Sequence, residues 1–340
     1  MPGIRAGPRR RRWGFGELTG LVGGLVLLLG CAWLSLALGA SGMHAVAAFE
    51  AIVAFDGSEE HMLVRSLRLP RTLIATVVGA ALAVAGALIQ GMTRNPLASP
   101  AILGINAGGA FAIVAAVVLS GVQSPAVYPL LAFAGAAATA GAAVTVGALG
   151  RGGATPERLI LAGAALMALL SAFTTGLLIH DQASLAEVRF WLAGSVSGRD
   201  LATLLGVAPY LGVGLLLGLL LGPSVTAHSL GDTVARGLGQ RTGLVRTGAM
   251  LAVVLLAGGA VAVAGPIAFI GLVVPNAVRL VVGGDYRWIV PFSALAGACL
   301  LLVADVAARV ALGAEELPVG VMTALIGAPV FIHLARKMER

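Results

Sequence analysis

Leu67-Arg68-Leu69-Pro70-Arg71 opens a stretch that runs on as Ala/Gly-rich apolar sequence to Gly91 and turns at Asn95-Pro96-Leu97-Ala98-Ser99-Pro100. It re-enters apolar sequence at Gly104-Ile105-Asn106-Ala107-Gly108-Gly109. The first apolar run is close to the ~20 residues that a bilayer-spanning helix requires. Prolines and an asparagine punctuate the turn that follows. Arginines on one edge, a proline turn on the other and an immediate return into apolar sequence describe a helical hairpin in a membrane.

The rest of the chain has the same character. Of 340 residues 59% are hydrophobic and 11% charged, against about 25% charged in a soluble domain, so a soluble globular fold is excluded. No charged residue occurs between Arg94 and Arg151. Spans are expected near 18–40, 72–91, 101–120, 126–149, 159–180, 201–222, 243–264, 266–283, 288–311 and 318–335. The division at Gly265-Pro266 follows from the proline and from an uncharged interval, Thr247 to Val278, that is too long for one span. The fold class is therefore an all-α polytopic bundle of ten transmembrane helices with both termini cytosolic.

Charge supports that count. Alternating sides from a cytosolic N-terminus places sixteen of the 22 Lys and Arg residues on the cytosolic side and six on the other, among them Arg65, Arg68, Arg71, Arg199 and Arg309. This is the bias that membrane insertion produces. The formal net charge of +7 thus reflects topology rather than a nucleic-acid surface. Residues 1–16, with Arg5 and Arg9 to Arg12, read as a cytosolic basic tail, and 17–340 as a single transmembrane domain. The run Leu18 to Ala40 exceeds the 7–15 apolar residues of a signal-peptide core and is read as a retained helix. Within the polar segment from Ser41 to Ser66, Ala45 to Phe55 is apolar enough for a short surface helix. Cys31 and Cys299 lie deep in apolar runs and read as packing residues. Ala81-Leu82-Ala83-Val84-Ala85-Gly86 and Ala260-Val261-Ala262-Val263-Ala264-Gly265 are a faint repeat in helices two and seven, which run in opposite directions on this count.

A phosphate-cradling nucleotide loop needs a lysine, and the one lysine is Lys337. The chain itself is therefore not expected to bind ATP or act as an enzyme. Ionisable residues sit near the expected helix ends, whereas ion-coupled transporters keep them in mid-membrane. Energy for uphill transport must then come from elsewhere. His180-Asp181 is too small a set for a metal site.

The hairpin resembles the signature of the permease family that serves ABC importers of iron-siderophores, haem and cobalamin. Arg158 to Gly163, Trp191-Leu192-Ala193-Gly194-Ser195, Gly265 to Pro275 and Glu316-Leu317-Pro318-Val319-Gly320 extend the likeness over about residues 60 to 337. The resemblance implies a bacterial inner-membrane permease that moves an iron chelate, iron(III)-siderophore above haem or cobalamin, by alternating access. It implies a second permease subunit (a copy or a sister chain), two cytosolic ATPases that carry the ATP and Mg, a periplasmic substrate-binding protein and surrounding lipid, with no cofactor on this chain. Arg68, Arg71 and Arg309 would receive glutamates of the binding protein. Asn95, Pro96, Leu97, Thr155 and Pro156 would form the inner gate. Residues 229–240, with Gly231, Asp232, Arg236, Gly237, Leu238 and Gly239, would be the coupling segment that docks on the ATPase. Other readings of these residues are interfacial snorkelling of the arginines, tight turns for the gate and a solvated turn for the coupling segment. Rivals of another class are a stand-alone ion-coupled transporter and a membrane scaffold.

Overall fold

The computed structural model describes residues 15–38, 45–122, 124, 126–149, 155–180, 191–311 and 316–338. Most of the basic tail, Asp181, Arg189 and Glu315 lie outside the described residues. The helices are α1 (Phe15–Ala37), α2 (Ala45–Val53), α3 (Glu59–Leu63), α4 (Leu69–Thr93), α5 (Ile105–Ser120), α6 (Tyr128–Ala148) and α7 (Pro156–His180). They continue as α8 (Leu201–Ser229), α9 (Asp232–Gly237), α10 (Thr242–Ala264), α11 (Ile270–Val282), α12 (Tyr286–Ala311) and α13 (Val319–Met338). No strand occurs among the described residues. Seven helices are long and apolar enough to cross a membrane, and α5, α11 and α13 are shorter apolar helices.

Two helices form the centre. Over their apolar windows α4 is 78% buried and α10 is 72% buried, while α1 and α7 are each 22% buried. In a bilayer, leucines such as Leu27, Leu161 and Leu220 on the outer helices face lipid rather than a core. The faint repeat falls on the two central helices, and both of its copies are buried.

Small residues permit this enclosure. A Cβ on Gly86 would lie 1.9 Å from the carbonyl oxygen of Gly271, so α4 and α11 meet backbone to backbone. The motifs that carried the family likeness also close on one another. The Ser195 amide donates to Ala264 O at 2.8 Å and the Gly320 amide to Gly194 O at 3.0 Å. Three segments from distant parts of the chain therefore share one junction. Gly163, from the fourth motif, packs on the 3₁₀ turn Pro100–Leu103 that follows the opening hairpin.

Several boundaries differ from expectation for physical reasons. The second span begins earlier, because a π turn at Val64–Arg68 joins α3 to α4 as one rod from Glu59 to Thr93. The third span starts at Ile105 rather than 101, after the 3₁₀ turn. The break near Gly265-Pro266 is present, with Gly265 at φ +71°, but α11 begins only at Ile270. Pro223 does not end α8, which runs on to Ser229 through both Pro209 and Pro223. In an apolar surrounding, neighbours compensate the carbonyls that a proline frees.

Candidate functional site

The functional candidates divide between the two ends of α4, which are about 37 Å apart for a 25-residue helix.

At the N-terminal end, Arg68 lies in the π turn and is 6% exposed. Its Nη1 donates to Leu36 O at 2.7 Å and to Ala37 O at 3.1 Å. Arg309, on α12, donates from Nη1 to Ser35 O and Leu38 O at 3.0 Å each, and from Nη2 to Ser35 Oγ at 2.9 Å. The last carbonyls of a helix have no partner within it, and here two arginines from other helices cap those of α1. They also place positive charge at the negative end of its dipole.

Arg71 has other partners. Its Nε donates to both oxygens of Asp305 at 3.0 and 3.1 Å, and its Nη2 to Asp305 Oδ1 at 2.9 Å. Its Nη1 reaches Glu316 Oε2 at 2.8 Å and Ser197 Oγ at 3.2 Å. Asp305 is fully buried and also pairs with Arg309 at 3.2 Å. One carboxylate held by two guanidinium groups in this way is a satisfied buried network. Desolvation raises the Glu316 carboxyl, but hydrogen bonds from Ser197 and Arg71 together with the Arg71 charge outweigh it, and the net shift is downward. Burial pulls the Arg199 guanidinium below its usual value, with Asp200 opposing.

Arg68, Arg71, Arg199, Arg309 and Glu316 line a single open cleft of about 350 Å³. The expected docking arginines are therefore brought together, but each is also engaged within the chain. Three residues apart, Arg68 and Arg71 would share one face of a regular helix, but with the π turn between α3 and α4 their side chains reach different helices.

At the opposite end Arg94 closes α4 in the left-handed region, φ +52°. The turn expected to form the inner gate follows. Asn95 Oδ1 accepts from the Leu97 amide at 2.9 Å, and the Asn95 carbonyl accepts from Ala98 N at 3.1 Å. Asn276 of α11 donates to Pro96 O at 2.8 Å and is itself held by Arg279, which donates to the Tyr286 hydroxyl at 2.6 Å. Leu97 projects from this clamped turn, about half exposed. Thr155 precedes Pro156, which opens α7, and its Oγ1 accepts from the Arg158 amide at 3.4 Å.

The segment expected to couple to the ATPase forms α9, a helix of six residues between Gly231 at φ +116° and Gly239 at φ +79°. Val234 and Leu238 are exposed, the latter at 70%, with Arg236 between them, while Ala235 is buried against the bundle. Asp232 faces inward to His228, Arg246 and Arg94. A short rigid knob with apolar side chains turned outward suits a partner's groove.

Among the described residues no group of three or more metal-ligating side chains occurs. Asp305, Glu316, Ser197 and Asn276 were not singled out as site residues. The spacing of four residues does predict the pairing of Asp305 with Arg309, and the structure has it, whereas Glu316 and Asn276 gave no local signal beyond lying in or beside quoted motifs.

The model of the FecCD transport family matches residues 26–337. The chain belongs to that family. Its FecCD relatives include the probable siderophore transport system permease protein YfiZ of Bacillus subtilis (strain 168), 49% identical over 313 residues, which are 92% of this chain and 94% of the relative. The ferric enterobactin transport system permease protein FepD of Escherichia coli (strain K12) is 42% identical over 94% of this chain and 96% of its own. The hemin transport system permease protein HmuU of Yersinia pestis is 40% identical over 79% and 81%. A solved inward-facing structure described as a metal-chelate type ABC transporter matches with a TM-score of 0.82 at 29% identity, covering 94% of this chain and 99% of that one. The FecCD fold, with its multiple apolar helices, makes this a multi-pass membrane protein.

Proposed function

We propose that this chain is the permease subunit of an ATP-driven importer that carries an iron chelate, iron(III)-siderophore first, across the bacterial inner membrane. One observation carries the reading. The likeness to a siderophore permease runs nearly end to end at 49% identity, so it covers both the arginine cleft and the coupling helix. The seven long helices and the three shorter apolar ones together fit ten spans with both ends cytosolic, and the Arg and Lys distribution supports that orientation. On this reading 17–340 is one transmembrane unit and the basic tail lies in the cytosol.

Two copies, or this chain with a sister permease, enclose the path. The cleft at Arg71 faces the binding protein, and an incoming glutamate competes with Glu316 for Arg71 while Arg68 and Arg309 add positive potential from beneath. Asn95, Pro96, Leu97, Thr155 and Pro156 close the inner end. Helix α9 with Gly231, Leu238 and Gly239 beside it is the coupling segment: Arg236, Gly237 and Leu238 turn outward to a cytosolic ATPase that holds ATP and Mg, while Asp232 faces inward to the bundle. Asp305 favours this energy source over an ion gradient. It is the one carboxylate buried deep in α12, and Arg71 and Arg309 occupy it fully, which leaves it unfit to load and release protons.

The test is uptake into proteoliposomes holding the permease, its cognate ATPase and binding protein, across a panel of iron-siderophores, haem and cobalamin. ATP-dependent accumulation of an iron-siderophore is the expected result. Uptake that follows an ion gradient without the ATPase would overturn the proposal.

A further inference from the structure

Asp232 is the meeting point of three helices besides its own. Its Oδ1 lies 3.6 Å from His228 Nδ1 in the last turn of α8 and 4.0 Å from Arg94 Nη2 at the end of α4, and its Oδ2 lies 3.7 Å from Arg246 Nη2 in α10. The two arginine separations are ion-pair distances beyond hydrogen-bond length, and the His228 contact is a polar contact, also beyond that length, to a buried ring. His228 is fully buried, whereas Arg94 and Asp232 are part exposed. Gly231, immediately before Asp232, adopts a backbone conformation that favours glycine, and a Cβ there would face Arg94 Nη1 at 3.7 Å. Helix α9 is thus attached to α8 through a glycine joint and faces α4 through charge. Arg94 in turn is the residue directly before the Asn95–Leu97 turn, and its charge also acts on Glu157 in the first turn of α7, two residues after Thr155.

We infer that the Asp232–Arg94 pair is the relay that passes a displacement of α9 to the Asn95–Leu97 turn, with Asp232 and Arg94 acting as positioning residues for the gate. The inference rests on reading α9 as the ATPase contact and Asn95–Leu97 as the inner gate. The physical reason is the distance law. A hydrogen bond near 2.9 Å is lost when its partners part by an ångström, but Coulomb attraction between charges 4 Å apart falls only as the inverse of their separation. A link of that kind can pull throughout a movement of α9 about Gly231. Arg94, held at positive φ where α4 ends, hands the pull straight to the backbone of the turn.

The experiment uses the full complex of permease, ATPase and binding protein in proteoliposomes, with Arg94→Gln, Asp232→Asn, their double variant and Arg94→Lys. Three quantities are read: ATPase co-purification, ATP hydrolysis, and iron-chelate accumulated per ATP hydrolysed. Each single neutralisation is expected to leave co-purification and hydrolysis in place and to lower accumulation per ATP by about tenfold, the scale on which residues along a coupling route act. The double variant is expected to be no worse than either single one, because both remove the same link, and Arg94→Lys to restore most of the ratio. An unchanged ratio in the single variants, or additive losses in the double, would overturn the relay. Loss of ATPase association in Asp232→Asn would overturn it too, by making Asp232 part of the docking surface. Leu238→Ala separates the two levels: if ATPase association survives that change, it is the reading of α9 that fails, whatever the relay variants do.

Discussion

The two ends of α4 use charge in opposite ways. At the Arg71 end the guanidinium groups of Arg68, Arg71 and Arg309 are fixed by direct hydrogen bonds of 2.7 to 3.1 Å to a fully buried carboxylate or to groups at the end of α1. At the Arg94 end one carboxylate, a third exposed, sits 3.6 to 4.0 Å from its three partners and beside a glycine joint. Short bidentate pairs resist displacement, and longer ion pairs tolerate it. The first end has the bonding of a scaffold, and the second has the looser contacts that the proposed relay needs in order to move.

Substitutions can break this contrast. Asp305→Asn leaves two buried guanidinium groups without their shared counter-charge and is expected to cost about 3–5 kcal/mol. Asp232→Asn, with longer pairs near solvent, is expected to cost less than about 1 kcal/mol. Unfolding midpoints in detergent compare them, and equal costs would erase the distinction. Next in size, Arg68→Gln and Arg309→Gln leave the α1 carbonyls without their caps, at about 1–3 kcal/mol each by the same measurement. Arg94→Gln at the other end of α4 is expected within about 0.5 kcal/mol.

Leu238→Ala sharpens the comparison from the other side. Its side chain touches little within the chain, so stability is expected to change by less than about 0.5 kcal/mol. ATPase affinity, read by titration of the solubilised permease, is expected to fall about tenfold if Leu238 is an anchor of the interface. The smallest effect is that of pH at the scaffold. The Glu316 carboxyl is held below its usual value in the folded chain. Its contribution is therefore present above the unfolded carboxylate pKa and is lost as pH falls through the folded one. Because Glu316 is 40% exposed, the loss is expected below about 1 kcal/mol. Glu316→Gln should flatten the acid limb of the stability profile by that amount.

The hairpin from Leu67 to Gly109 was legible because membrane length, proline turns and charge bias are all local signals. So were the break at Gly265-Pro266, the short helix after Ala45 and the position of α9. The partners of Arg68 and Arg71 were not legible. Spacing says which face Arg68 and Arg71 share, but Asp305 and Glu316 lie more than 230 residues from Arg71 in sequence, and a π turn has no compositional mark. The end of α8 differed from the expected 222 for a related reason, since the sequence cannot show which neighbour compensates the carbonyl that Pro223 frees. Asn276, which clamps the Asn95–Leu97 turn from α11, was hidden by the same distance.

Hydrogen exchange on the permease in nanodiscs, with and without the cognate ATPase, tests the contrast most directly. Amides of 230–240 are expected to exchange fast alone and to slow when the ATPase binds, while those of 69–75 and 305–310 stay slow in both states. Slow exchange at 230–240 that the ATPase leaves unchanged, or opening at the arginine end instead, would contradict the account.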